Sequence, residues 1–358
     1  MSGISAWSKI FYGKNGLLEA AMRSCFLIRS LSSSRPCNSY VGDIRMQMTL
    51  KRSKSNEHLP YKEGRFLVID LTKSKVLLSA KPQDRFGRKS LSWIHYEDLN
   101  KIGVNIKENA HFLCVTHGEP NFVVNVSKLS EESKNTLESK ANAKFIALRS
   151  SLFSLDGSTD MPLVSQSHSL LDWKLKHKFC VYCGNALEDG LIDFHKRCTG
   201  CKTVHYPTVN PIGISLICNE QCSKILLVRQ PIHPPRMFTC VAGFIESGET
   251  IEENIKREVA EELGLETKSI HYVGSQHWSL PGSKLMIGCF ATVTDENFSI
   301  DSEELEEACW FSPKEIHNAL KRVTEKKEKV LDNPDDIWIP PPGAIAHSLI
   351  KLWLQKHG

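Results

Sequence analysis

The pattern of apolar and polar positions becomes regular at about residue 63. FLVIDLTKSKVLLSA reads as strand, polar turn, strand. HFLCVTHGEPNFVVNVS repeats that form around a Gly-Glu-Pro turn, and residues 132–150 follow as a helix. Residues 63–165 therefore form a small α+β domain. It holds no residues at catalytic spacing, so its expected part is packing or dimer support. Farther on, HYPTVNPIGISLIC and KILLVRQ read as a strand pair with Asn219, Glu220 and Gln221 in the turn. MFTCVAGF is a short apolar strand. HYVGSQHWSLPGSKLMIGCFATV runs strand, loop, strand, with the loop at residues 275–283. DSEELEEACWF is an acidic run leading into a Trp-Phe strand. Residues 46–62 read as a polar linker and 321–336 as a charged, flexible insert.

Between the strands, GFIESGETIEENIKREVAEELGL has helical periodicity. With Glu258 set at zero, Glu261 lies at about −60° and Glu262 at about +40° around the helix axis. Ile251, Ile255, Val259 and Leu263 fall between about +20° and +140°, so the three glutamates ride the shoulder of the buried stripe. Like charges so placed repel by a few tenths of a kcal/mol per pair even when exposed. A hard divalent cation with oxygen ligands would remove that cost. Glu249-Thr250 can open the helix and Gly264 can cap it. Gly243 permits a sharp turn or a close approach of backbone to another group.

Charge is unevenly distributed. Residues 1–62 hold ten Lys/Arg and three Asp/Glu, leaving residues 63–358 at about −3 of the total +4. A body so balanced is not a nucleic-acid binder by charge. Glu19 and Asp43 are the acids of residues 1–45, and LLEAAMRSCFLIRSL mixes apolar residues with Arg at helical spacing. Mitochondrial transit peptides have this character, whereas Arg23 and Arg29 interrupt any secretory core. The alternative is a basic tail on a cytoplasmic protein. No apolar run is long enough for a membrane span.

There are 12 cysteines. Cys180-x2-Cys183 and, after 14 residues, Cys198-x2-Cys201 match a structural Zn²⁺ ribbon with four thiolates and no open position. The other eight show no disulfide framework, which points to a reducing, intracellular home. His195 and His205 break the spacing and are left out of the site. Cys218 and Cys222 bracket a turn without partners and read as incidental.

The helix segment fits G-x5-E-x7-R-E-U-x-E-E-x-G-U, with U aliphatic, at Gly243, Glu249, Arg257, Glu258, Val259, Glu261, Glu262, Gly264 and Leu265. This resembles the Nudix box. Downstream, Ser275, Gln276, Trp278, Pro281 and Ser283 match the S-Q-P-W-P-F-P-x-S of NudC-type NADH pyrophosphatases, while His277, Ser279 and Leu280 depart from it. Members of that subfamily also carry a four-cysteine ribbon before the Nudix domain, a Tyr-Pro matched by Tyr206-Pro207, and a P-P-P-G matched by Pro340–Gly343. With the basic leader, the resemblance is to the mitochondrial NAD(P)H pyrophosphatases of the family.

The resemblance implies a Nudix α/β/α sandwich over 208–356, a zinc ribbon over 176–207, the α+β domain over 63–165, and a targeting leader and linker over 1–62. It implies Mg²⁺- or Mn²⁺-dependent cleavage of the pyrophosphate bond of NADH, NADPH or NAD⁺, giving nicotinamide mononucleotide plus AMP or its 2′-phosphate. Glu258, Glu261 and Glu262 are then metal ligands and Arg257 orients them. Glu307 completes the metal shell or helps as base, with Glu304 as second candidate. Phe244 stacks a substrate ring and Tyr206 stacks it from a second subunit. Gln276 and Trp278 meet substrate, and backbone near Ala346 closes the pocket. A homodimer follows from the Tyr206 role. Two rivals stand beside this reading. One is another Nudix specificity, such as ADP-ribose or NAD-capped RNA, the latter needing a basic channel. The other is a non-catalytic nucleotide-binding module, which a complete box disfavours.

Overall fold

The computed structural model describes residues 39–51, 59–80, 89–155, 160–189, 195–325 and 336–357. Residues 1–38 of the expected leader and 326–335 of the expected insert lie outside them.

The N-terminal domain opens with a helix, α1 (Tyr40–Lys51), partly inside the stretch expected to be linker. Its apolar residues, among them Val41, Ile44, Met46, Met48 and Leu50, are spread round the axis, so no periodicity marks it. It is held by side chains: Asp43 accepts the backbone N–H of His117 at 3.0 Å and of Gly118 at 2.8 Å. Met46 and Leu50 pack on the domain core. Then come β1 (Arg65–Asp70), β2 (Lys75–Ser79), β3 (Ile94–His95), α2 (Tyr96–Lys101), α3 (Ile106–Asn109), β4 (Ala110–Thr116) and β5 (Glu119–Asn125). The single helix expected over 132–150 is instead α4 (Glu131–Ala141), β6 (Ala143–Ala147) and α5 (Leu148–Ser154). Asn142, in the left-handed conformation, ends α4 and turns the chain into β6. The strands form one sheet in the order β4-β5-β1-β2-β6, with β3 beside β1.

A long helix, α6 (Asp160–Lys176), crosses the expected gap between domain and ribbon. One side of it joins the N-terminal core through Met161, Val164, Leu170 and Leu171, and Trp278 and Leu280 of the C-terminal domain pack on the same cluster. The two domains thus share apolar surface. The ribbon follows as β7 (Leu187–Asp189), β8 (Lys196–Cys198) and β9 (Val204–His205), a three-stranded sheet.

The C-terminal domain contains β10 (Asn210–Cys218), β11 (Ile225–Arg229), β12 (Val241–Phe244), α7 (Ile251–Leu263), β13 (Thr267–Trp278), β14 (Lys284–Val293), β15 (Glu307–Phe311), α8 (Pro313–Glu325) and α9 (Ile345–His357). Its sheet runs β13-β14-β10-β11-β15, with β12 on β10 and a parallel β10–β14 pair at the centre. Ile255, Val259 and Leu263 of α7 pack on one face. Ile316 and Ala319 of α8 and Leu349, Ile350 and Trp353 of α9 pack on the other. This is an α/β/α sandwich, and each valine, leucine or isoleucine so removed from water contributes about 1.5–3 kcal/mol. Ser275–Trp278, expected in a loop, continue β13 in register with β14. The first residues of the expected insert are helical, as the end of α8.

Candidate active site

α7 starts at a capping box. Thr250 accepts the Glu253 N–H, and the Glu253 carboxylate accepts the Thr250 N–H at 2.7 Å. It ends at Gly264 in the left-handed conformation that glycine adopts without strain. The helix presents Glu258 and Glu262 inward, at 8% and 2% exposure, with Glu261 exposed beside them. β12 lies against this turn so closely that a Cβ on Gly243 would collide with the Glu258 carboxylate. That contact is a physical reason for glycine here.

Arg257 organises the cluster. It bonds both oxygens of Glu249, Nε to Oε1 at 2.6 Å and a terminal nitrogen to Oε2 at 3.0 Å. It also donates to Glu258 at 2.9 Å, Glu261 at 2.9 Å and the Phe244 carbonyl at 3.0 Å. The planar guanidinium fork suits this many oxygens. The guanidinium holds the Glu249 carboxyl at about 2. Glu262 is the opposite case. Burial first, then the charges of Glu258, Glu304, Glu261 and Asp301, push it up to about 8. Burial also raises Glu258 in spite of Arg257. One carboxylate oxygen of Glu262 is buried without a hydrogen-bond partner. Crowded oxygen donors with an unsatisfied buried atom fit a hard divalent cation.

The acid run after β14 corrects one expectation. Along β15, Ala308 and Trp310 pack on the α7 side, whereas Cys309 and Phe311 pack on the α8–α9 side. Strand alternation puts Glu307 with Cys309, away from α7. The Cys309 Sγ lies 3.7 Å from the Glu307 carboxylate. Glu304, in the turn before the strand, is the residue whose charge acts on both Glu258 and Glu262. The Asp301 N–H donates to the Glu262 carbonyl at 3.0 Å and fastens this turn to the helix.

A cavity of about 470 Å³ opens beside Glu262. Ile214, Ala242, Met286, Trp278 and Ala346 give it apolar walls, and Gln276 joins them. The Gln276 amide is already engaged, donating to the Gly343 carbonyl at 2.7 Å and accepting the Ile345 N–H at 2.8 Å. It therefore positions the segment leading into α9. Trp278 both lines the cavity and meets the Phe153 ring at 5.7 Å. Phe153 and Arg149 come from α5, so the N-terminal domain contributes to the cavity, beyond the packing expected of it. No spacing pattern marks these two residues. Phe244 is 52% exposed outside the cavity, with the Lys284 ammonium 5.2 Å from its ring. Tyr206 is 66% exposed beside His195.

The four ribbon cysteines bring their sulfurs within 4.8 Å of one another. Four sulfurs this close together fit the tetrahedral thiolate shell that Zn²⁺ takes in structural sites. Hydrogen bonds from Asn185 lower Cys183 and those from Thr203 lower Cys201, whereas burial and the hydrogen bond with Cys183 raise Cys198, so the set does not ionise as four thiolates without a cation to hold the charge. His205, absent from the spacing pattern, places Nε2 3.3 Å from the Cys180 sulfur, where it can support a thiolate from outside the ligand set.

Residues 210–333 match the NUDIX domain family. The human NAD(P)H pyrophosphatase NUDT13, mitochondrial, is 36% identical over 262 residues, 73% of this chain and 72% of the relative. Its mouse counterpart is 33% identical over 349 residues, 93% of this chain and 96% of the relative. The human NAD-capped RNA hydrolase NUDT12 is 40% identical over 201 residues, 54% of this chain and 41% of the relative. The chain belongs to the Nudix hydrolases, in their NudC-like branch. It is an enzyme of that family, built on an α/β Nudix fold with a four-cysteine cluster. Among the described residues, no helix is long and apolar enough to cross a membrane.

Proposed function

We propose that this chain hydrolyses the pyrophosphate bond of NADH and NADPH. Water adds at one phosphorus, and the products are reduced nicotinamide mononucleotide and AMP, or its 2′-phosphate. The observation that carries this reading is the shared wall: Glu262 belongs both to the acid cluster and to an apolar cavity able to receive a nucleoside. The names of the human and mouse relatives support the same bond and substrate class.

In this reading Glu258, Glu261 and Glu262 hold Mg²⁺ or Mn²⁺, and Glu304 takes the place expected of Glu307. The bound cation supplies charge neutralisation on the diphosphate and lowers the pKa of the attacking water. Arg257 keeps the carboxylates aimed together, and Glu249 anchors Arg257. The apolar walls exclude bulk water from one nucleoside. Phe244 stacks a substrate ring at the rim, and Tyr206 reaches it from a second copy of the chain, which makes the enzyme a homodimer. The four cysteines hold structural Zn²⁺, and the basic leader directs the chain to mitochondria. The test is a panel of NADH, NADPH, NAD⁺, ADP-ribose and NAD-capped RNA, scored by product with Mg²⁺ or Mn²⁺. Mononucleotide release from NADH and NADPH is the expected result. Cleavage of ADP-ribose or capped RNA alone would replace this substrate assignment.

A further inference from the structure

The cavity beside the glutamates carries a second charged group that the hydrolysis does not use. Among the described residues that line it, Glu262 is the one acid and Arg149 the one arginine or lysine. Arg149 stands in the first turn of α5, and its side chain is exposed. Among the described residues it has no ion-pair or hydrogen-bond partner. Its backbone is firmly placed. Phe153, one turn along, meets Trp278, and the Leu152 carbonyl lies close against Gly343.

His233 shares this part of the cavity. The Gln230 N–H donates to its Nδ1 at 3.3 Å, so the neutral ring carries its proton on Nε2. Burial, then the charges of Arg229 and Arg149, hold His233 below the usual imidazole value, which puts Arg149 within electrostatic reach of it. Arg229 is already committed: it bonds the carbonyls of Gln230 and His233 and pairs with Glu306. The groups that act most on Glu262 are Glu258, Glu304, Glu261 and Asp301, and Arg149 is not among them. Arg149 enters the cavity from α5 and Glu262 from α7, so the one arginine and the one acid of the lining come from different domains.

We propose that Arg149, with the Nε2–H of His233, forms the subsite for the 2′-phosphate of an NADPH-type dinucleotide. The inference rests on the reading that the acid cluster takes the diphosphate. Beyond that diphosphate, the substrate's remaining anion is the phosphate on the adenosine ribose, which NADH lacks. A guanidinium fork matches a phosphate monoester, and charge-assisted bonds are the strong ones. The N-terminal domain then sets which dinucleotide is preferred.

The test uses the full chain with Arg149→Gln and Arg149→Lys. Affinities for NADPH and NADH are measured without divalent cation, and kcat/KM for both with it. In Arg149→Gln the NADPH-to-NADH ratio falls about 10- to 100-fold, the range of one lost hydrogen bond to a charged group. The loss sits in KM, because the 2′-phosphate is remote from the reacting phosphorus. Arg149→Lys recovers part of it. An unchanged ratio in Arg149→Gln overturns the proposal. A wild-type protein that binds both dinucleotides but cleaves neither defeats the hydrolase reading, and the ratio of affinities still decides Arg149.

Discussion

The cysteine cluster and the glutamate cluster are built on opposite plans. Cys180, Cys183, Cys198 and Cys201 come from two adjacent knuckles and form a closed set of four sulfurs. Nothing in that set is left for a substrate, and its ligands can serve only to hold the ribbon. The glutamates come from one helical turn plus a distant turn carrying Glu304, and one wall of the set is the cavity. Arg257 neutralises part of the cluster, and a buried Glu262 oxygen remains unsatisfied. The lesson is that closure separates a site that stabilises from one that reacts. A closed set can be read from local spacing. An open set draws on remote chain, because it must surround a ligand.

The largest expected effect is on the open set. Glu262→Gln keeps shape and removes charge, so kcat on NADH should fall on the order of 10²–10⁴-fold, the range for losing a positioned catalytic group, with the fold retained. Kinetics beside circular dichroism checks this, and a loss below threefold would make the cluster merely acidic. On the closed set, Cys198→Ser should remove about one Zn²⁺ per chain and melt the ribbon, since a structural zinc site contributes folding free energy directly. Metal analysis and thermal melting read it; full zinc occupancy with an unchanged melt would reject the structural site. A smaller contrast separates two neighbours: Glu304→Gln should lower kcat about 10- to 100-fold and Glu307→Gln less than about threefold. The reverse order would restore Glu307.

The smallest effect is on stability against pH. In the metal-free fold Glu262 keeps its proton up to about pH 8, whereas the unfolded chain releases it near the ordinary 4.5. Between those values the folded state binds more protons, so raising pH through that window lowers stability. Denaturant midpoints of wild type without divalent cation should fall across it, and those of Glu262→Gln should fall less. Parallel curves would mean that Glu262 is not protonated in the fold.

Much of this architecture was legible along the chain. The Gly243–Leu265 segment marked its own start and stop, and α7 ends where Gly264 said it would. The two CxxC knuckles named all four sulfurs. Missing parts had no local signal. α1 carries no apolar stripe and is fixed by Asp43 reaching residues some seventy positions away. Glu304 and Glu307 stand three apart in one acid run, and only the pleat of β15 tells them apart. Glu253 belongs to no fixed position of the motif, yet it closes the capping box of α7. Arg149 and Phe153 reach the cavity through packing between domains, which no pattern along one segment records.

In the proposed reading the buried glutamates form a cation site whose occupation displaces a proton from Glu262. Titration of Mn²⁺ into the full chain at pH 7, by calorimetry in two buffers of different ionisation enthalpy, measures both binding and proton release. Wild type should bind with release of about one proton, because a carboxylate must ionise to become a ligand. Glu262→Gln should bind more weakly and release none. Equal affinity in both proteins, with no buffer dependence in either, would contradict it.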